Sequence, residues 1–240
     1  MVVGQGGDVV RVAGADSSDW AGMVAGAGAL ALTSCTSSGI GDVGGNGGSS
    51  GIDNPFKHGV ASGDPMTNRV ILWTRVTPVA TESIAVTVRV FANPALTIAV
   101  GAPVTVLATA ARDWTVKIDY AGLAAGTTYY YQFEANGFRS VLGRTRTLPP
   151  NGVQRVRFGV VSCSSLAHGF FNAYRFLAAR ADIDVVLHLG DYIYEYGSGQ
   201  YGNVRPYEPT HEMKTLADYR TRHSQYKRTD PDLQEIHRQH

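Results

Sequence analysis

Val156-Arg157-Phe158-Gly159-Val160-Val161-Ser162-Cys163 and, further on, Asp184-Val185-Val186-Leu187-His188-Leu189-Gly190-Asp191 decide how the second half of this chain folds. Each is a short apolar run of the kind that suits a buried parallel strand. Between them the spacing predicts a helix over residues 172–181, with Tyr174, Phe176, Leu177 and Ala178 turned toward a core. Strand, helix and strand in so short a span form a βαβ unit, whose crossover is right-handed almost without exception.

That topology places two reactive side chains. Cys163 and Asp191 each stand just past the carboxyl end of one strand. In a parallel sheet both emerge at the edge where open α/β sheets bind ligands. A thiol and a carboxylate brought together there invite a metal ion. Tyr194 follows Asp191 by three residues, so its phenol reaches the same spot if the loop turns helically. The competing reading is a small buried cysteine and an ordinary Gly-Asp turn.

Outward from this unit, the 240 residues have room for two domains. With 44% hydrophobic and 17% charged residues the chain has the composition of a globular protein. A formal net charge of +1 supplies no long-range field to attract nucleic acid or an anionic membrane. Two cysteines, Cys35 and Cys163, make no disulfide framework.

Residues 54–150 have a different texture, with short runs rich in Val, Ile, Thr and aromatics between turn residues. Expected strands are Val70–Arg75, Ile84–Phe91, Val104–Ala110, Thr115–Tyr120, Tyr129–Ala135 and Ser140–Thr145, which predict an antiparallel sandwich. Leu123-Ala124-Ala125-Gly126-Thr127-Thr128-Tyr129 resembles the fibronectin type III corner, in which a Tyr hydroxyl bonds back to the preceding loop. Ahead of it, His58-Gly59-Val60-Ala61-Ser62-Gly63-Asp64-Pro65 reads as tight turns, with His58 and Asp64 as turn caps rather than metal ligands.

The N-terminal segment reads as an address. Ala21 to Leu32 is a small-residue apolar run, too short to span a bilayer but matched to a signal-peptide core. Leu32-Thr33-Ser34-Cys35 resembles a bacterial lipobox, which makes Cys35 a lipidation site, and Thr36 to Gly51 is a Gly/Ser-rich tether. Against this, Arg11 is outnumbered by Asp8, Asp16 and Asp19, where a signal peptide should be positive. The expected organisation is a signal and lipoprotein segment over 1–35, a tether over 36–53, a β-sandwich over 54–150 and an α/β domain over 151–240.

Taken together, Val160-Val161-Ser162-Cys163-Ser164-Ser165 and His188-Leu189-Gly190-Asp191-Tyr192-Ile193-Tyr194-Glu195 resemble the opening motifs of PhoD-like (alkaline phosphatase D) phosphatases. Residues His58 to Pro65, Val70-Ile71-Leu72-Trp73-Thr74-Arg75 and Gly143-Arg144-Thr145 are similar to that family's N-terminal β-domain. The resemblance implies a fibronectin type III-like β-sandwich followed by an α/β metallophosphoesterase domain. It implies hydrolysis of phosphomonoesters and phosphodiesters with Fe3+ and Ca2+, Cys163 and Tyr194 on iron and Asp191 bridging iron and calcium. Small phosphoesters would be the substrates and the protein a monomer, exported to the periplasm or cell surface and touching a membrane only through its lipid. Under this reading His188 is core.

Thr215-Leu216-Ala217-Asp218 resembles a capping box opening a helix to about Lys227, and Asp230-Pro231 opens another that turns Leu233 and Ile236 inward. His211, His223, His237 and His240 are expected on solvated helix faces. Two parallel strands make an under-built sheet, the last helix meets His240 with no cap glycine, and the family's Trp-Asp-Asp-His-Glu motif does not occur. A truncated metallophosphoesterase domain with negligible activity is therefore expected. The alternative class is a lipid-anchored sandwich that binds without catalysis. A purple acid phosphatase fits poorly, because its Asp-x-His is replaced by Ser162-Cys163-Ser164.

Overall fold

The computed structural model describes residues 53–78 and 83–240, together with the backbone of Val9–Arg11. The apolar run, Cys35 and the tether up to residue 52 lie outside the described residues.

In chain order the strands of the β-rich half follow a first strand β1 (Val9–Arg11): β2 (Val60–Gly63), β3 (Arg69–Arg75), β4 (Ile84–Phe91), β5 (Ala99–Ala108), β6 (Thr115–Ala121), β7 (Thr128–Ala135), β8 (Phe138–Arg139) and β9 (Gly143–Arg146). They form two antiparallel sheets, one ordered β2-β3-β6 and the other β5-β4-β7-β8, with β9 also pairing β7. Alternation does the sorting. Val70 and Leu72 on β3 and Val116 and Ile118 on β6 share one core with Val86, Val88 and Val90 on β4 and Tyr131 and Phe133 on β7. Successive strand residues point to opposite faces, so the intervening Arg, Lys and Thr reach solvent.

The corner forms as its residues require. The Ala124 N–H donates to the Tyr129 hydroxyl at 2.8 Å, Leu123 is buried, and Gly126 turns at φ +62° against Pro149. Gly143 is needed for a different reason: a Cβ there would lie 2.2 Å from the fully buried Tyr131 ring.

Three strand assignments differ from expectation, the first being β9, which starts at Gly143 rather than Ser140. β5 begins at Ala99 and is largely exposed; it is an edge strand with a register shift between Val88 and Val90 on its neighbour, so period-two burial does not mark it. Val60–Gly63, read as turns, is a strand on β3 whose Val60 is buried.

The second half contains β10 (Phe158–Val161), α1 (Asn172–Ala178), β11 (Val185–His188), α2 (Leu216–Thr229) and α3 (Pro231–Gln239). β10 and β11 pair in parallel, and the backbone of β1 pairs in parallel with the other edge of β10. Those β1 residues were allotted to the leader on sequence. Tyr174, Leu177 and Ala178 face the core, but Phe176 is 70% exposed, contrary to expectation. At 100° per residue Phe176 falls on the opposite side of the helix from Tyr174. Leu187 and Leu189 are also exposed.

Helix α2 opens with the anticipated capping box, Thr215 and Asp218 each bonding the other's backbone. Asp230 caps α3, accepting from the Leu233 N–H at 3.0 Å, and Leu233 and Ile236 are buried. These helices also clamp the two halves together. Arg75, gripping the Asp113 carboxylate with two hydrogen bonds, donates to His58 Nε2 at 2.8 Å, and the Ser224 hydroxyl of α2 meets the same nitrogen at 2.8 Å. His58 is thus a buried link to α2 rather than a turn cap. Of the four histidines expected on solvated helix faces, His211 is exposed but lies in the loop before α2, while His223, His237 and His240 are partly buried. Charge-rich sequence misled here, since the apparently polar faces of α2 and α3 pack on Trp73, Tyr192 and the sandwich.

Candidate metal centre

Register builds the site. Val161 lies opposite His188 at the ends of the paired strands, and the two loops stay zipped beyond them. The Cys163 N–H donates to the Gly190 carbonyl at 3.2 Å and the Ser164 N–H to the Asp191 carbonyl at 2.9 Å. Cys163 and Asp191 therefore leave the same edge side by side. The Cys163 thiol donates to Asp191 Oδ2 at 3.4 Å, and the Tyr194 hydroxyl donates to the same oxygen at 3.3 Å. Thiol, carboxylate and phenol meet as the sequence anticipated. Cys163 and Asp191 are exposed and Tyr194 is partly buried, so the cluster opens to solvent.

Both loop residues hold left-handed backbone, Cys163 at φ +60° and Asp191 at φ +53°. Side chains other than glycine visit this region rarely, and such strain concentrates at functional sites. Partial burial, followed by the hydrogen bond and charge of Cys163 and the charge of Asp191, pushes the Tyr194 phenol well above its ordinary range. A cation placed among the three would reverse that ordering. Among the described residues no group of three or more His, Cys, Asp and Glu converges on one point; here the third donor is a phenol.

Three buttresses were not anticipated. His188 accepts from the Gly190 N–H at Nδ1 (3.3 Å), which leaves Nε2–H to donate to Ser164 Oγ at 3.0 Å, tying one loop to the other. Burial lowers its basicity, opposed by the Asp191 charge. Tyr192, next to Asp191, hydrogen-bonds His237 Nε2 at 3.0 Å and packs its ring among His188, His223 and Tyr226. Arg222 is fully buried and donates to the carbonyls of Tyr194, Tyr196, Glu208 and Pro209. The strand register could have exposed His188, because it is the residue opposite Val161.

Two family models match this sequence, one described as the PhoD-like phosphatase N-terminal domain over residues 45–149, the other as PhoD-like phosphatase over residues 158–240. The second contains all three site residues. The chain belongs to the PhoD-like phosphatase family. It is 38% identical over 196 residues to alkaline phosphatase D of Bacillus subtilis (strain 168), across 76% of this chain and 33% of that protein. A solved structure of PhoD aligns with a TM-score of 0.73 at 35% identity, covering 81% of this chain and 38% of the PhoD chain. The mostly β fold with few helices thus matches PhoD, and the chain spans about a third of the length of its curated relative.

Proposed function

We propose that this chain is the front part of a metal-dependent hydrolase of phosphomonoesters and phosphodiesters. In this reading a fibronectin type III-like sandwich precedes the opening of a metallophosphoesterase domain. The observation that carries it is the convergence of Cys163, Asp191 and Tyr194 on one carboxylate oxygen at a parallel-sheet edge.

The donors fit the ions of the family reading. Cys163 and Tyr194, as thiolate and phenolate, would suit Fe3+, and the Asp191 carboxylate would offer the hard oxygen that suits iron and Ca2+. What such ions supply when bound is Lewis acidity toward phosphoryl oxygens and activation of a nucleophile for in-line displacement. The protein contributes fixed geometry: zipped loops, the His188 and Ser164 tie, and the Arg222 grip on the Tyr194 loop hold the donors before any ion arrives. As ligands, Cys163 and Tyr194 would have to give up their protons. We also propose export as a monomeric lipoprotein anchored at Cys35, with small phosphoesters as substrates and negligible turnover by these 240 residues alone.

Two measurements test this. Ferric ion added to the 240-residue chain should give a visible phenolate-to-iron charge-transfer band, absent in Tyr194→Phe and shifted in Cys163→Ser. No band in the unaltered chain would refute the metal assignment. Second, the chain should replace the matching third of the Bacillus subtilis relative and yield a chimera that hydrolyses p-nitrophenyl phosphate or its bis-ester. Asp191→Asn should cost that chimera on the order of 100-fold or more. A folded, iron-binding chimera with no turnover would sink the hydrolase reading, and robust turnover by the 240 residues alone would sink the fragment reading.

A further inference from the structure

Beside the three donors lies an aromatic surface that the metal reading does not use. The Tyr194 ring stacks on Tyr196, with centroids 6.4 Å apart and planes 20° apart. Tyr201 closes on both, 5.4 Å from Tyr194 and 4.9 Å from Tyr196, and His168 packs edgewise on Tyr201 at 4.6 Å. Tyr196 and Tyr201 are 38% and 41% exposed, so a cluster of rings faces water directly alongside Asp191.

This exposure is built in. Gly202 turns at φ +78° with its Cα so close to the Ala167 carbonyl that an added Cβ would lie 2.8 Å from the oxygen. The Val204 N–H donates to that same carbonyl at 2.8 Å, and the Ser198 N–H donates to the Thr210 carbonyl at 2.8 Å. Arg222 holds the carbonyls of Tyr194 and Tyr196 from beneath. His168 is fixed in turn by a 2.7 Å hydrogen bond between Nδ1 and the Ser165 hydroxyl. Rings pinned this firmly pay little entropy when a ligand stacks on them, and exposed tyrosine faces bind planar groups through offset or edgewise contact.

We infer that Tyr196 and Tyr201, seated against Tyr194, form a shelf that stacks the aromatic group of a phosphoester whose phosphate lies at the Cys163–Asp191–Tyr194 cluster. This rests on the phosphoester reading above. The substrate class it selects is aryl or nucleobase-bearing esters over small alkyl esters. The shelf residues position the organic group and carry no proton in the reaction. Stacking of a base on an aromatic side chain is worth enough to give a preference on the order of 10-fold.

The test compares phenylphosphonate with methylphosphonate, two non-hydrolysable probes sharing the anionic head. Their binding to the 240-residue chain is measured calorimetrically, with and without Fe3+ and Ca2+. Phenylphosphonate should bind on the order of 10-fold more tightly. Tyr196→Leu and Tyr201→Leu should erase that preference while methylphosphonate affinity stays unchanged. Equal affinity for the two probes, or no detectable binding of either under both conditions, overturns the shelf. So do variants that weaken both probes alike. A chain that shows the iron band yet no aryl preference leaves the metal reading standing and removes the shelf. An aryl preference with no iron band does the reverse.

Discussion

Replacing Arg222 by methionine should cost roughly 3–5 kcal/mol, an unusually large effect for one polar residue on a charge-rich helix. The side chain is fully buried, and its four hydrogen-bond acceptors are backbone carbonyls with no carboxylate among them. Nε reaches Glu208 O at 3.0 Å, Nη2 reaches Pro209 O at 2.9 Å and Tyr196 O at 3.1 Å, and Nη1 meets Tyr194 O. The guanidinium also lies 3.8 Å from the centroid of the Tyr207 ring. Hydrogen bonds to a charged donor are worth about 1.5–3 kcal/mol each, but burying the guanidinium cancels much of that sum. What remains in the variant is four carbonyls with a lost partner, at about 1 kcal/mol each, plus the cation–π contact. Methionine fills the volume, so the deficit is electrostatic rather than a cavity.

The assay is guanidinium denaturation followed by two probes. With Trp20 replaced by Phe, tryptophan emission reports the sandwich, where Trp73 and Trp114 lie on or beside β3 and β6. The ferric charge-transfer band reports the Tyr194 loop. In Arg222→Met the band should be lost at lower denaturant than the emission change, and proteases should cut between Glu195 and Met213. Arg222→Lys should recover no more than about half of the loss, because one ammonium cannot span carbonyls arranged around a planar fork. A destabilisation under about 1 kcal/mol with the band intact would refute the claim that Arg222 holds this loop.

Tyr129→Phe removes the acceptor of the Ala124 N–H and should lower sandwich stability by about 1–2 kcal/mol in chemical denaturation, without altering iron binding. Stability should also climb with pH in two windows. Burial first, then nearby cations, lowers His58 to about 3, and burial lowers His223 to about 4 from 6.5. The unfolded chain therefore binds more protons below about 6.5, so stability present above that pH falls as pH drops toward 4. Burial holds Lys227 at about 7 against 10.5, so stability should rise again between those values, and Lys227→Met should abolish that second rise in pH-dependent denaturation curves.

The meeting of Cys163, Asp191 and Tyr194 was legible because it depends on few and local features. Two apolar runs fix parallel strands, strand ends fix an edge, and residues just beyond them meet there whatever the rest of the chain does. Cys163, Asp191 and Tyr194 needed no knowledge of packing. The sandwich was legible where both faces of a strand differ, as on β3, β4, β6 and β7, and illegible on the exposed edge strand β5. Helix α2 defeated pattern reading outright. Its buried residues are Arg222, Gln225, Tyr226 and Lys227, so the hydrophobic period that marks a buried face is nearly absent. What those residues contact, namely loop carbonyls and Trp73, is distant in sequence and carries no local signature.

Left-handed backbone at the two loop residues supports the site reading through where it aims their side chains, since Leu96 and Trp114 in the sandwich hold positive φ as well. Left-handed φ costs a non-glycine residue on the order of 1–3 kcal/mol. Gly190, at φ +117°, shows that glycine occurs in this very loop where the chain must turn. Glycine at 163 and 191 would relieve that strain, and neither thiol nor carboxylate anchors a core: both are exposed. Asparagine and aspartate tolerate the left-handed region through their own short side chains, but cysteine has no such compensation. The strain is held by the loop-to-loop bonds Cys163 N–H to Gly190 O and Ser164 N–H to Asp191 O, with His188 bracing both loops. Its result is to turn a thiol and a carboxylate out of the sheet edge toward one point, beside a phenol that pinned backbone holds in reach. A cation would be met there by three donors already in place.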